Sequence, residues 1–225
     1  RLAVPPRHAL TERATPPEYP APRLGPVDPA AGGDRPFDKP RDRVLTRYPH
    51  ADGFLRHLSD GESPRAAWTV APRPDGLGDW ADGMLEAAAA ALASERGAVL
   101  IVPDARDLAA LAARAKERFG AGSFVTLTAE LGPAARYRAF LAAARGQVRL
   151  VLGNRAAVFA PVRDLGLIAL WDDGDDSYAE PRAPYPHARE VAALRAHLAG
   201  SGLLLAARSR TAEVQRLVST GWLHP

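Results

Sequence analysis

Four aspartates, Asp172, Asp173, Asp175 and Asp176, crowd around Gly174 just after the apolar run Leu165–Leu170. Carboxylates at that density suit a hard divalent cation, which selects oxygen ligands. They equally suit a solvated acidic loop, because adjacency in sequence does not supply coordination geometry. A second candidate is the loop Ala71–Trp80, which contains Gly76-Leu77-Gly78. A phosphate-cradling loop of the form G-x-x-x-x-G-K-[ST] needs glycines, a lysine and a hydroxyl that holds Mg²⁺. This loop has the glycines but no lysine. Pro72 and Pro74 remove backbone donors, and Asp75 and Asp79 repel phosphate. An ordinary turn accounts for Gly76 and Gly78. His8, His50, His57, His187, His197 and His224 show neither metal-ligand spacing nor the logic of a catalytic triad. With no cysteine in the chain, disulfides and cysteine-based zinc sites are excluded here, and a reducing compartment fits.

The composition bounds what can surround these residues. The chain has 225 residues, is 47% hydrophobic and has a net charge of +3. That is enough for one sizeable domain with a core. Lys39 and Lys116 are the only lysines, so the basic charge is nearly all arginine. Arginine holds phosphate bidentately and stays charged, yet a GC-rich genome also favours arginine over lysine. No apolar run reaches the roughly 18 residues of a membrane span, and the start lacks the pattern of a signal peptide. A cytoplasmic protein with no membrane partner is expected. Because Arg1 is not an initiator Met, a piece of a longer chain is also expected.

Residues 1–43 are read as a Pro-rich linker following an upstream domain. Ten prolines between Pro5 and Pro40 break any helix. From Val44 the pattern becomes globular. Helices are predicted over 51–59, 79–94, 105–118, 133–145, 187–198 and 211–220. Strands are predicted over 65–71, 98–102, 123–128, 148–152, 165–170 and 202–207. The strands are solid apolar runs, as expected when both sheet faces are covered. Strands alternating with helices predict an α/β fold with a mostly parallel sheet and helices on both faces. Function in such folds sits in the loops at the carboxyl ends of the strands.

Several stretches carry a family resemblance. Gly153-Asn154-Arg155-Ala156-Ala157-Val158-Phe159-Ala160-Pro161, followed by Asp164-Leu165-Gly166-Leu167-Ile168, resembles the G-T-R-S-A-L-F-A-P…N-L-G-L-I stretch of the PriA (primosomal protein N′) family. Pro186-His187-Ala188-Arg189-Glu190-Val191-Ala192 resembles its Y-H-A-R-D-V-A. Leu2–Ala9 resembles the close of the family's N-terminal DNA-binding domain, and Val102-Pro103-Asp104 stands where the family has V-P-E. The matches are collinear. The resemblance implies that residues 44–225 form a first RecA-like (P-loop NTPase-like) helicase lobe. It also implies ATP with Mg²⁺, and zinc in a C-terminal part, as the family's cofactors.

Against that family the nucleotide chemistry is broken in three places. The lysine falls near Trp80. The metal-holding aspartate of D-E-E-H-D-S-S-Y becomes Trp171, and its glutamate becomes Asp172. The coupling motif G-S-A-T becomes Ala206-Ala207-Arg208-Ser209. A degenerate nucleotide site, with vestigial loops near Gly76, Gly78 and Asp172, is therefore expected, with no catalytic residue, no metal and no cofactor in this segment. The DNA-contacting loops imply Arg155, Tyr178, Arg182, Tyr185 and Arg189 as candidates, with rings stacking on bases and guanidiniums on phosphates. The bland alternative is a tyrosine covering the core edge and arginines as surface charge. The expected function is replication restart. Such a factor binds branched DNA at stalled forks and assembles a primosome, without unwinding, with forked and single-stranded DNA, primosome proteins and single-strand-binding proteins as partners. An active ATP-dependent 3′-5′ DNA helicase and a metal-dependent enzyme using the Asp172–Asp176 cluster are the alternatives.

Overall fold

A computed structural model describes residues 44–72 and 80–225. The expected linker over 1–43 and the glycines Gly76 and Gly78 lie outside the described residues. Six strands form one sheet: β1 (Arg65–Thr69), β2 (Gly97–Ile101), β3 (Phe124–Leu127), β4 (Leu150–Gly153), β5 (Leu165–Trp171) and β6 (Gly202–Ala207). Their order is β1-β6-β5-β2-β4-β3, and each neighbouring pair is parallel. The helices are α1 (Ala51–Ser59), α2 (Trp80–Ala93), α3 (Ala105–Phe119), α4 (Pro133–Ala144), α5 (Ala188–Ala199) and α6 (Ala212–Ser219). The expected open α/β sheet of RecA-like type is therefore present.

Strand alternation divides the core into two layers. Ala98, Leu100 and Val102 face α1, α2 and α3, whereas Val99 and Ile101 face α4, α5 and α6. The central strands β2 and β5 are buried at every position. Solid apolar runs are the consequence, since neither face meets water. Helix α2 lies between the sheet and α1, with most of its residues buried. Its alanine run keeps the helix thin. Gly83 permits the closest approach, because a Cβ there would lie 2.2 Å from the Trp68 ring.

Two expected strands shift by two residues at one end, and the other ends agree to within one. The fourth begins at Leu150 rather than Val148. The amides of Gln147 and Val148 both donate to Ala142 O, at 3.0 and 3.3 Å, so the end of α4 holds them away from the ladder. The first ends at Thr69, with one further bond from Val70 N to Ala207 O at 2.9 Å. Glu86, buried in α2, accepts from Val44 N (2.6 Å) and Leu45 N (3.0 Å) and so ties the first described residues to the core. No helix among the described residues is long and apolar enough to cross a membrane.

Candidate nucleotide and nucleic-acid site

The carboxyl ends of β1, β2, β4, β5 and β6 bring the expected loops to one edge of the sheet. Trp80 opens α2, and Trp171 closes β5. Their rings stack with centroids 5.0 Å apart and planes at 11°. Both are almost fully buried, at 2% and 5% exposure. The Trp171 indole donates to Asp107 Oδ2 at 3.2 Å, and the Arg208 guanidinium lies 5.8 Å from the Trp171 ring centroid. Thus the two indoles, at the positions where the resemblance sets the family's lysine and metal-holding aspartate, pack against each other.

The charge around this stack is unfavourable to phosphate. Asp104 caps α3 by accepting from Asp107 N at 2.7 Å. Burial, then the neighbouring Asp104, pushes the Asp107 carboxyl above its ordinary value. Asp172 is raised as well, by burial first and then by Asp175 and Asp173. Each added negative charge here already meets repulsion.

The loops themselves are tied together. Asn154 Nδ2 donates to Val102 O (3.2 Å) and Asp104 O (3.0 Å), joining the loop after β4 to the loop after β2. Ser177 Oγ donates to Pro103 O at 3.2 Å. The Tyr178 hydroxyl lies 2.5 Å from Trp171 O and 3.4 Å from Ile101 O. Buried Asp173, on β5's loop, pairs with Arg189 Nη1 at 3.1 Å and accepts from Thr211 Oγ1 at 2.7 Å. Thr211 in turn accepts from Val214 N at 3.3 Å as the N-cap of α6. The loops after β5 and β6 are thereby held to the start of α5.

This geometry holds three of the five expected DNA-binding residues in contacts within the protein. Tyr178 is fully buried, so its ring has no open face for a base, and burial raises its hydroxyl pKa well above the ordinary range. Arg189 is 6% exposed. Its guanidinium serves Asp173, with Glu190 and Glu213 at 3.1 and 3.6 Å. Arg155 donates to Ser177 O (3.0 Å) and Ala179 O (2.7 Å) and pairs with Glu180 at 3.0 Å. It fastens one loop to the next. Arg182 and Tyr185 face solvent, Tyr185 at 68% exposure.

The four aspartates also separate. Asp173 turns inward to Arg189, and Asp175 Oδ1 accepts from Ser177 N at 2.8 Å as the cap of a short 3₁₀ turn. Among the described residues no three of His, Cys, Asp and Glu gather as a metal site requires. Sequence reading missed Asp107, Asn154 and Thr211 as parts of this edge. Their partners at this edge lie far away in the sequence.

No protein-family model matches the chain. Over all 225 of its residues it is 47% identical to "Probable replication restart protein PriA" of Mycobacterium tuberculosis (strain CDC 1551 / Oshkosh), covering 32% of that protein. It is 32% identical over 122 residues to "Replication restart protein PriA" of Bacillus subtilis (strain 168), a match covering 54% of this chain and 15% of that protein. The chain thus spans about a third of the length of the mycobacterial relatives it matches. Among solved structures, the helicase domain of Pyrococcus furiosus Hef superposes with a TM-score of 0.51 at 13% identity, over 77% of this chain and 36% of that one. That likeness concerns the fold.

Proposed function

Because this chain belongs to the family of the replication restart protein PriA, we propose that it serves replication restart as a fixed RecA-like lobe that engages DNA and does not hydrolyse ATP. The observation that carries this reading is the buried stack of Trp80 on Trp171. Phosphoryl transfer depends on positioning and on stabilising charge. An indole supplies neither the cation that neutralises phosphate nor the oxygen that holds Mg²⁺. The two indoles together occupy the volume between the start of α2 and the end of β5. Asp104, Asp107 and Asp172 beside the stack are acids, and no lysine stands among them to neutralise phosphate.

The lobe is read as a scaffold for restart at forked DNA, with other restart proteins as partners and the cytoplasm as its compartment. Arg182 and Tyr185 remain as solvent-facing candidates for contact with a single strand at this edge. The test is calorimetry and turnover on the full-length protein. Magnesium–ATP is expected to give no saturable heat at millimolar concentration. Single-stranded DNA is expected to stimulate no hydrolysis above a preparation carrying Asp172→Ala. Stimulated turnover that this substitution abolishes would overturn the reading.

A further inference from the structure

The arginines differ in what holds them. Arg96, Arg114, Arg155, Arg189 and Arg195 are each committed to carbonyls or carboxylates of the protein. Arg56, Arg136, Arg138, Arg182 and Arg216 have no side-chain partner among the described residues, and neither do Arg145, Arg149 and Arg163. These three lie together at the amino ends of the strands, opposite the loops described above. Gly97, the first residue of β2, sits between them: a Cβ there would lie 3.0 Å from both Arg149 O and Arg163 O. Arg149 immediately precedes β4 and Arg163 lies just before β5, the two neighbours of β2. With strands spaced about 4.8 Å apart, the two chains enter the sheet roughly 10 Å from each other.

Arg145 closes the cluster. It follows α4, and the next residue, Gly146, has φ +71° and would place a Cβ 2.9 Å from Arg163 Cδ. The stem of Arg163 therefore crosses the end of α4. Arg138, exposed and seven residues before Arg145, lies two turns up the same side of the helix. Helix α4 contains no acidic residue. Asp164 and Glu95, like Asp60 and Glu62 before β1, are acids of this edge, and none of them pairs with the three arginines among the described residues. The opposite edge carries Asp104, Asp107, Asp172 and Asp175.

We propose that Arg145, Arg149 and Arg163, extended by Arg138, form a contact surface for the phosphate backbone of nucleic acid. The inference rests on the reading of this chain as a DNA-engaging restart lobe. It moves the contact from the carboxyl edge to the amino edge of the sheet. Guanidiniums free of protein partners keep their donors for phosphate and grip it bidentately. None of the four residues is aromatic, and no pocket is required, so the contact reads backbone and not sequence. Association here is driven by release of counterions.

The experiment replaces Arg145, Arg149 and Arg163 by Gln in the full chain. Fluorescence anisotropy then follows binding to a labelled duplex and a labelled single strand across a salt series. An unchanged melting temperature shows that the fold is intact, since no internal partner is lost among the described residues. Affinity is expected to fall at least about tenfold at 0.1 M salt, and the slope of log K against log salt to flatten by roughly two to three units. A companion chain with Arg182→Gln and Tyr185→Ala probes the carboxyl edge. If only the companion loses binding, or the triple variant keeps the parent slope, the amino-edge surface is refuted while a DNA-engaging lobe stands. If the parent binds neither DNA, both DNA readings of this lobe fall and the family assignment is untouched.

Discussion

At the scale of single residues, the decisive event is the meeting of Trp80 with Trp171. Neither indole is unusual for a core, but their pairing joins the first turn of α2 to the last residue of β5. Offset ring stacking contributes about 0.5–1.5 kcal/mol beyond the area it buries. Removing a buried indole leaves a cavity that the surroundings only partly fill. Trp80→Ala is therefore expected to destabilise the fold by about 3–5 kcal/mol in urea titrations. In a double-mutant cycle with Trp171→Ala the losses should be non-additive by about 0.5–1.5 kcal/mol. Strictly additive losses would show that the rings are neighbours without being coupled. Neither variant is expected to acquire ATP turnover, because emptying the space restores no lysine and no metal ligand.

Among the elements, α5 holds the clearest pH dependence. Its N-cap is His187, whose Nδ1 accepts from Arg189 N at 3.2 Å. An accepting nitrogen must be unprotonated. Burial, then the Arg189 charge, lowers the His187 pKa from 6.5, and Glu190, Asp173 and Glu213 oppose this only in part. The folded state thus binds fewer protons than the unfolded one in this window. Stability from this group is complete above pH 6.5 and is lost as pH falls from 6.5 through the lowered folded value. Thermal melts between pH 5 and 8 are expected to show that loss. His187→Asn should retain the cap within about 1 kcal/mol and remove the slope. An equal slope in both proteins would place the titrating group elsewhere.

For the molecule as a whole, the structure describes a sheet whose carboxyl-edge loops are bound to one another. Asn154, Arg155, Ser177, Tyr178, Arg189 and Thr211 all take part. In a nucleotide-driven motor such loops would have to change partners as phosphate comes and goes. Amide hydrogen exchange reports that freedom directly. Millimolar magnesium–ATP is expected to leave exchange unchanged over 103–107, 171–178 and 206–211. DNA is expected instead to slow exchange over 145–150 and 162–165, at the opposite edge. Protection by ATP at the first three segments would restore a nucleotide-responsive lobe.

The sequence by itself determined the alternation of helix and strand, the parallel sheet and the family. Apolar runs such as Leu165–Leu170 are local signals, and local signals survive in a linear reading. The family resemblance also set Trp80 and Trp171 at the positions of the phosphate-binding lysine and metal-holding aspartate, as an expectation. Only the tertiary structure decided that these two indoles touch. It alone showed that Tyr178 points inward and that Arg155 and Arg189 are held by carbonyls and carboxylates. An arginine reads alike in sequence whether it faces solvent or a buried aspartate, because its partner lies many residues away: 16 for Arg189 and Asp173. The same long-range folding brought Arg145, Arg149 and Arg163 together without a side-chain partner among the described residues, since β2 draws the starts of β4 and β5 to its two sides.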